Sequence, residues 1–423
     1  MSRNLGIVFF QGFFYDFLFQ FQILKSGILW FGSRCKNSCR SARIFEFKIC
    51  CRSAGILVKL SWLPVTKKKR PLVSAVIVNY NTKELLQECL DYLEQNYSPL
   101  EIIIVDNNST DGSKEYLKKL KKLEISSPSA HETSSSDFRR SHEIKKLAAR
   151  NISLRDEINN FSPDGSGRIS SFVPAPGGVN FKIIFNDQNL GLAVGNNLGW
   201  RQSRGKYVLF IGSDALVQPG AIPALVEFME AHPQVGISVG QVRLRNGQLD
   251  WDTHRGLPTP WVALTHFLGL DRLFPRSRLF GRYYLADRPL DSPHEIELCS
   301  SHFMFTRRKM LEELGGWDED FFVYGEDVDL CWRARQQGWK IFYLPQARVI
   351  HYKGASVGIR RESQDVTKAN LETKRRMILE TTQAMLIFYR KHYPRSYLAW
   401  LVTLAIKILR QWRLLKLKLF GVK

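Results

Sequence analysis

Five acidic residues and one histidine stand where this chain could do chemistry. Asp106 closes the apolar run "EIIIVD" and Asp214 follows "VLFIGS". Glu326, Asp327 and Asp329 crowd into "YGEDVDL", and His351 ends "ARVIH". A buried strand that ends in a carboxylate must either satisfy that charge or use it. Strand ends carrying Asn79, Asp106 and Asp214 in one α/β domain point to a metal ion and a phosphorylated ligand. Simpler uses exist. Acids just ahead of a helix cap it and oppose its dipole, which suits Asp327 or Asp329 taken singly. A lone strand-end histidine is most often a hydrogen-bonded structural residue.

The elements that must position these residues read as α/β. "LVSAVIVNYN" (72–81) is a β-branched run of the kind buried on both faces in a parallel sheet. Asn81 is expected to cap the next helix, with Glu84 at the capping-box position. Leu85, Leu86, Cys89, Leu90 and Leu93 recur at helical spacing and give that helix one apolar face. The strand ending at Asp106 completes a right-handed βαβ unit, and ligands bind such units at the C-terminal strand ends. "FKIIFNDQNLGLAVGNNLGWRQSRGKYVLFIGSDA" reads as strand, glycine-containing loop, helix and strand. Gly191, Gly195 and Gly199 suit close backbone approach, although helix packing accounts for them equally well. "LCWRARQQG" reads as a helix ended by Gly338, followed by the strand "IFYLP".

At 423 residues the chain can hold one large domain with extensions or two domains. Its formal net charge of +21 could serve nucleic acid, a membrane surface or an anionic substrate. The seven cysteines form no disulfide framework, and Cys35 and Cys39 lack a histidine pair at zinc-finger spacing. Reduced thiols in a cytoplasmic setting are expected. Residues 1–68 form an atypical aromatic leader, interrupted by polar residues, and are set apart from the fold. Within 69–356, residues 124–178 are rich in Ser, Pro and Gly and read as a disordered surface insertion around a short helix at 143–150. The tail, 357–423, is helical, basic and amphipathic. From Arg360 to Lys423 it carries fifteen Lys/Arg against four Asp/Glu. "SYLAWLVTLAIKILRQWRLLKLKLF" is too interrupted to span a bilayer, and fits a helix lying in the interface of an anionic membrane.

The ordered set "VSAVIVNYN", "IIIVDNNSTDGS", "NDQNLGLAVGNN", "VLFIGSDALVQPGA", "GGWDEDFFVYGEDVDLCWRARQQGW" and "VIHYKGAS" resembles the family 2 glycosyltransferases, in particular their rhamnosyltransferase and galactofuranosyltransferase-like branch. The resemblance covers about residues 72–356 without the insertion. It implies a GT-A fold, a Rossmann-like nucleotide-sugar half followed by an acceptor half. It also implies inverting transfer of one sugar from a nucleotide-diphosphate donor to a glycan or lipid-linked acceptor. By position, Val78, Asn79 and Asp106 match residues that hold the nucleoside, and Asn189, Asn196 and Ser213 lie with the donor. Asp214 matches the last residue of a metal-binding D-x-D, and His351 a second ligand for Mg²⁺ or Mn²⁺. Asp327 matches the general base, with Trp317, Asp318 and Glu326 on the acceptor side. The family's chemistry needs these types: a cation to neutralise the leaving diphosphate, and a base opposite it to take the acceptor proton.

One departure stands out. The first D-x-D position is Gly212, which offers no ligand. A weak or inactive GT-A binding module is therefore a competing expectation, and the charge alone suggests a nucleic-acid-binding protein. No nucleic-acid-binding module is recognisable, so no nucleic acid is expected as a partner. The trailing "RQQGW" lacks the arginine of the Q-x-x-R-W motif of processive synthases. The expected setting is cytoplasmic, peripheral on the inner face of the membrane.

Overall fold

The structure, a computed structural model, describes residues 48–50, 57–59, 72–125, 180–354 and 370–420. The expected insertion, including the helix at 143–150, falls almost wholly outside them. So does most of the leader, with Cys35 and Cys39. The chain divides into two compact units, Met1–Lys68 and Lys69–Lys423. In the first, β1 (Lys48–Cys50) and β2 (Leu57–Lys59) form a two-stranded antiparallel ladder with Lys48 opposite Lys59.

The second unit opens with β3 (Val73–Asn79), α1 (Lys83–Glu94), β4 (Leu100–Asp106) and α2 (Ser113–Ile125). Next come β5 (Asn180–Phe185), α3 (Leu192–Gln202), β6 (Tyr207–Gly212), β7 (Ala215–Val217), α4 (Ala221–Ala231) and β8 (Val235–Leu244). A 3₁₀ turn at Trp251–Thr253 leads to α5 (Pro260–Phe267), α6 (Leu270–Leu273), β9 (His294–Ile296) and β10 (Phe303–Arg307). The chain closes with α7 (Arg308–Leu314), α8 (Glu326–Gln336), β11 (Lys340–His351), α9 (Leu371–His392) and α10 (Tyr397–Phe420).

Nine strands make one sheet in the order β5-β4-β3-β6-β10-β8-β11-β7, with β9 also on β11. The first four run parallel. Strand β10 is antiparallel to both neighbours and joins this half to the parallel pair β8 and β11. Continuous apolar runs produce this arrangement because helices cover both faces of a parallel sheet. Val73, Ala75, Val76 and Ile77 of β3 and Ile102 to Val105 of β4 are fully buried. The chain runs from β3 outward to β5 on one side and returns to β6 on the other, which leaves a crevice at the C-terminal ends of β3 and β6.

Helix α1 buries the five residues expected to form its apolar face. Its start differs from the expectation. Asn81 adopts φ 55°, and its Oδ1 accepts the Thr110 N–H at 2.7 Å. Thr82 takes the N-cap position without a capping bond, because its hydroxyl donates to Asn79 Oδ1 at 2.8 Å. Asn81 does not cap the helix because its side-chain oxygen is taken by the distant Thr110 N–H instead of a local one. The glycines of α3 do pack the helix down: a Cβ at Gly195 would lie 2.8 Å from Val78 Cγ1, and one at Gly199 2.3 Å from Val76 Cγ1.

The two C-terminal helices pack on the sheet domain. Ala263 of α5 and Phe321 join Ile387 and Phe388 of α9 and Ala399, Val402 and Ile406 of α10 in a second core. Asp329, buried in α8, ties this layer down. Its Oδ2 accepts Arg333 Nε at 2.6 Å, and its Oδ1 faces His392 Nε2 of α9 at 2.7 Å. Burial alone would raise the Asp329 pKa, but His392 and Arg333 outweigh it and lower the value. Asp329→Ala leaves Arg333 and His392 without their carboxylate. It is expected to destabilise the domain by about 3 kcal/mol, readable as a shift in urea midpoint. Among the described residues no helix is long and apolar enough to cross a membrane.

Candidate active site

Register decides what Asp214 faces. Strand β6 ends at Gly212, Ser213 and Asp214 turn the chain, and β7 runs back antiparallel to the end of β11. In that ladder Ala215 lies opposite His351, and the Tyr352 N–H donates to the Asp214 carbonyl at 2.8 Å. The last residue of β11 is thereby delivered to the first turn after β6. His351 Nε2 lies 3.6 Å from Asp214 Oδ1, and both side chains are buried.

Behind His351 stands Asp250, which is fully buried. Its backbone N–H returns to Val242 of β8 at 2.9 Å after a turn at Asn246 and Gly247. Asp250 Oδ2 meets His351 Nδ1 at 2.8 Å and lies 3.4 Å from His302 Nε2. Lys353 Nζ bonds Asp250 Oδ1 and Asp252 Oδ2, both at 2.6 Å. The two imidazoles stack with centroids 3.9 Å apart. One ligand atom each from Asp250, His302 and His351 lies within 4.8 Å of the others, a group that could hold a metal ion.

The electrostatics separate the two rings. Burial opposes charge on His351, but Asp214 and Asp250 outweigh it and push its pKa up to about 9. Burial and the neighbouring His351 lower that of His302. Burial would raise the carboxyls of Asp214 and Asp250, yet His351 and His302 hold both below the usual range.

Gly212 has a structural reason. Phe303 pairs with Ile211, so His302 sits against Gly212, whose N–H donates to the His302 carbonyl at 2.9 Å. A Cβ at Gly212 would lie 2.6 Å from Asp214 Oδ1 and 3.3 Å from His302 Cβ. Any side chain there must displace the Asp214 carboxylate or the histidine.

The crevice between β3 and β6 is lined by a hydrogen-bond chain. Asp106 is buried and accepts from Asn79 Nδ2 at 2.8 Å and from the Ser109 N–H at 3.0 Å. Thr82, which donates to Asn79, also meets Ser213 Oγ at 2.7 Å, one residue from Asp214. Val78 sits beside Gly195, Asn189 Oδ1 accepts the Gly191 N–H at 3.0 Å, and Asn196 is buried with Nδ2 unpartnered.

The acidic start of α8 divides its labour. Gly325 holds the N-cap position at φ 80°, so neither Glu326 nor Asp327 is the cap. Asp327 is buried, and its Oδ1 accepts the Val328 N–H at 2.8 Å. Glu326 Oε1 accepts from Ser301 Oγ at 2.9 Å, and Oε2 is buried without a partner. Burial and the adjacent Asp327 push the Glu326 carboxyl from an ordinary value of 4.5 up to about 8. It therefore binds its proton more tightly folded than unfolded. That stabilisation is complete below the unfolded value and is lost as the pH rises through about 8. Glu326→Gln carries no such dependence. Its melting temperature is expected to gain on that of the wild type as the pH is raised from about 5 to about 8.5.

Of the remaining expected residues, Trp317 packs edge-on against Phe210, with centroids 4.8 Å apart. Asp318 pairs with Lys391 of α9 at 2.5 Å. Arg255, which the sequence did not single out, lies in the same region. It donates to the Asp252 carbonyl at 3.1 Å, and its charge is held by Tyr283, Asp252 and Asp327 against the burial that opposes it. Asp250, His302 and Lys353 likewise carry no motif that marks them in the sequence. The Asn246-Gly247 turn was the one local sign that the chain doubles back to place Asp250. Cys89, Cys299 and Cys331 are free and buried.

A parallel half joined to a mixed half, with acids and histidines gathered at the strand ends, defines a GT-A fold. The family model for Glycosyl transferase family 2 matches residues 74–152 and 158–315, and the chain belongs to that family. Its relatives include N-acetylglucosaminyl-diphospho-decaprenol L-rhamnosyltransferase of Mycobacterium tuberculosis, 30% identical over 152 residues, 36% of this chain and 48% of that protein. Rhamnosyltransferase WbbL of Escherichia coli K12 is 23% identical over 155 residues, 36% of this chain and 54% of that protein. The chain thus spans about half the length of these curated relatives. Among solved structures, a mannosyltransferase of Pyrobaculum calidifontis in complex with GDP-Man and Mn²⁺ is similar at 16% identity and TM-score 0.42, over 82% of this chain and 72% of that one.

Proposed function

We propose that this protein is an inverting glycosyltransferase. It moves one sugar from a nucleotide-diphosphate donor to a hydroxyl of a glycan or lipid-linked glycan in cell-surface polysaccharide synthesis. The observation that carries the reading is the meeting of Asp214 and His351 at the strand-end crevice of a family 2 chain. Val78, Asn79, Asp106, Asn189, Asn196 and Ser213 line the donor side. Trp317, Asp318 and Glu326 form the acceptor side.

Asp214 and His351 Nε2 suit a divalent cation. Their 3.6 Å separation exceeds a good hydrogen bond. Two donors at about 2.1 Å from one ion can span it. A carboxylate with an imidazole favours Mn²⁺ over Mg²⁺. Asp250 serves as the carboxylate behind His351, fixing its tautomer and ring orientation, as such partners do. Lys353 already neutralises Asp250, which disfavours a second cation between Asp250 and the two histidines. When bound, the ion offsets the charge that develops on the leaving diphosphate.

The chain's own residues do the rest. The Asp106–Asn79–Thr82–Ser213 bonds hold the crevice in one shape. Asp327 accepts the proton of the acceptor hydroxyl as that oxygen attacks the anomeric carbon from the face opposite the leaving group. Glu326, holding its own proton, leaves the negative charge of this pair on Asp327. The cationic tail directs the enzyme to the cytoplasmic face of an anionic membrane.

A thermal-shift screen of UDP-, dTDP- and GDP-sugars, each with Mn²⁺, with Mg²⁺ and with EDTA, tests the reading. One donor should raise the melting temperature in a metal-dependent way and be slowly hydrolysed. Stabilisation by no nucleotide sugar would overturn the assignment. Stabilisation without hydrolysis or transfer would make the protein a binding module.

A further inference from the structure

Exposed apolar side chains on this protein are concentrated rather than scattered. Of seventeen large ones exposed among the described residues, twelve lie on α10 or between Trp261 and Leu279. Helix α10 is apolar on two opposite faces. Ala399, Val402 and Ile406 are buried in the second core. At about 100° per residue, Leu404, Ile408, Leu415 and Leu419 fall together on the other side, and all four are exposed. Trp400 and Trp412 shoulder this outer stripe, and Lys416 lies 5.1 Å from the Trp412 ring. Lys407 and Lys418 flank the stripe, and α10 contains no acidic residue.

The second patch is the arm after α5. Leu268, Leu273, Phe274 and Leu279 are exposed on it, interleaved with exposed Arg272, Arg276 and Arg278. Its one acid, Asp271, is turned inward and buried against His266 at 2.7 Å. The arm is held in shape: Trp261 Nε1 of α5 donates to the Leu279 carbonyl at 3.0 Å, and Phe274 packs on Phe280. Helix α10 packs by its inner face on α9 and on α5, and the arm continues directly from α5.

We propose that the 268–280 arm is a second lipid-inserting element, which with the outer stripe of α10 forms a two-point footing on an anionic bilayer. Apolar side chains set among Lys and Arg, with Trp at the shoulders, match the acyl boundary below and anionic headgroups beside it. A second copy fits less well, because it would press one cationic face against another. The inference goes beyond the tail alone and does not rest on the reaction proposed above.

Co-sedimentation of the full chain with vesicles tests it, without donor or acceptor. Phosphatidylcholine vesicles containing phosphatidylglycerol should retain the protein in a salt-sensitive manner, and phosphatidylcholine alone should not. Leu273→Glu with Phe274→Glu in the arm, and Ile408→Glu with Leu415→Glu in the stripe, should each weaken partitioning about tenfold or more. Combining them should weaken it further. All four sites are exposed, so melting curves should match the wild type. Unchanged partitioning of the arm variant overturns the proposal. So does a dimer in light scattering that these substitutions dissolve while vesicle binding stays absent.

Discussion

Asp327→Asn is expected to lower sugar transfer by roughly 10² to 10⁴, the usual worth of a general base. The amide keeps the size of the carboxylate and an oxygen to accept the Val328 N–H. The N-cap position belongs to Gly325, so no cap is lost. Stability should therefore change by less than about 1 kcal/mol. Donor affinity should persist, because the proposed role is toward the acceptor hydroxyl. Melting temperature, donor binding and turnover on this one variant separate catalysis from helix support. Near-normal turnover in a normally folded variant would remove Asp327 from the mechanism. Glu326 would then be the next candidate, since Asp329 is engaged by Arg333 and His392.

Asp214→Ala is expected to reduce turnover by about two orders of magnitude or more, near 3 kcal/mol of transition-state stabilisation. The substitution leaves His351 bonded to Asp250, so the strand-end geometry should hold. Mn²⁺ titration followed by thermal shift should lose its response in the variant, a readout that does not depend on turnover. EDTA should inhibit the wild type. Full activity in EDTA would remove the metal role of both Asp214 and His351. The glycine at 212 does not by itself argue for a dead site. The room a carboxylate would use there is taken by Asp214 and His302, and Asp250 brings a buried carboxylate to the same imidazoles from the segment after β8.

Much of the architecture was legible in local sequence. Runs such as Val73–Asn79 and Leu100–Asp106 are apolar throughout because both faces of a parallel strand are covered, and that pattern survives in any tertiary context. The apolar face of α1 and the glycine end of α8 at Gly338, φ 81°, are equally local. Strand-end positions follow from the same logic, which sets Asn79, Asp106 and Asp214 at the C-terminal ends of their strands; His351 is marked only through the family resemblance. The start of α1 departs from the local pattern because the Asn81 side chain turns to the Thr110 N–H and the Thr82 hydroxyl meets Ser213 across the crevice.

What only the tertiary structure decided is who meets whom. Asp214 and His351 are far apart in sequence and become neighbours through the β7–β11 register. Asp250 and His302 carry no local mark of function. Their place depends on a turn that returns to β8 and on an antiparallel strand, β10, inserted between two parallel groups. The three acids in the first turn of α8 are alike in sequence. Burial, Ser301 and Asp327 itself separate Glu326 from its neighbours, and His392, contributed by α9, claims Asp329. Residue type and periodicity are properties of a segment. Charge state and partnership are properties of the space between segments, and no local pattern encodes them.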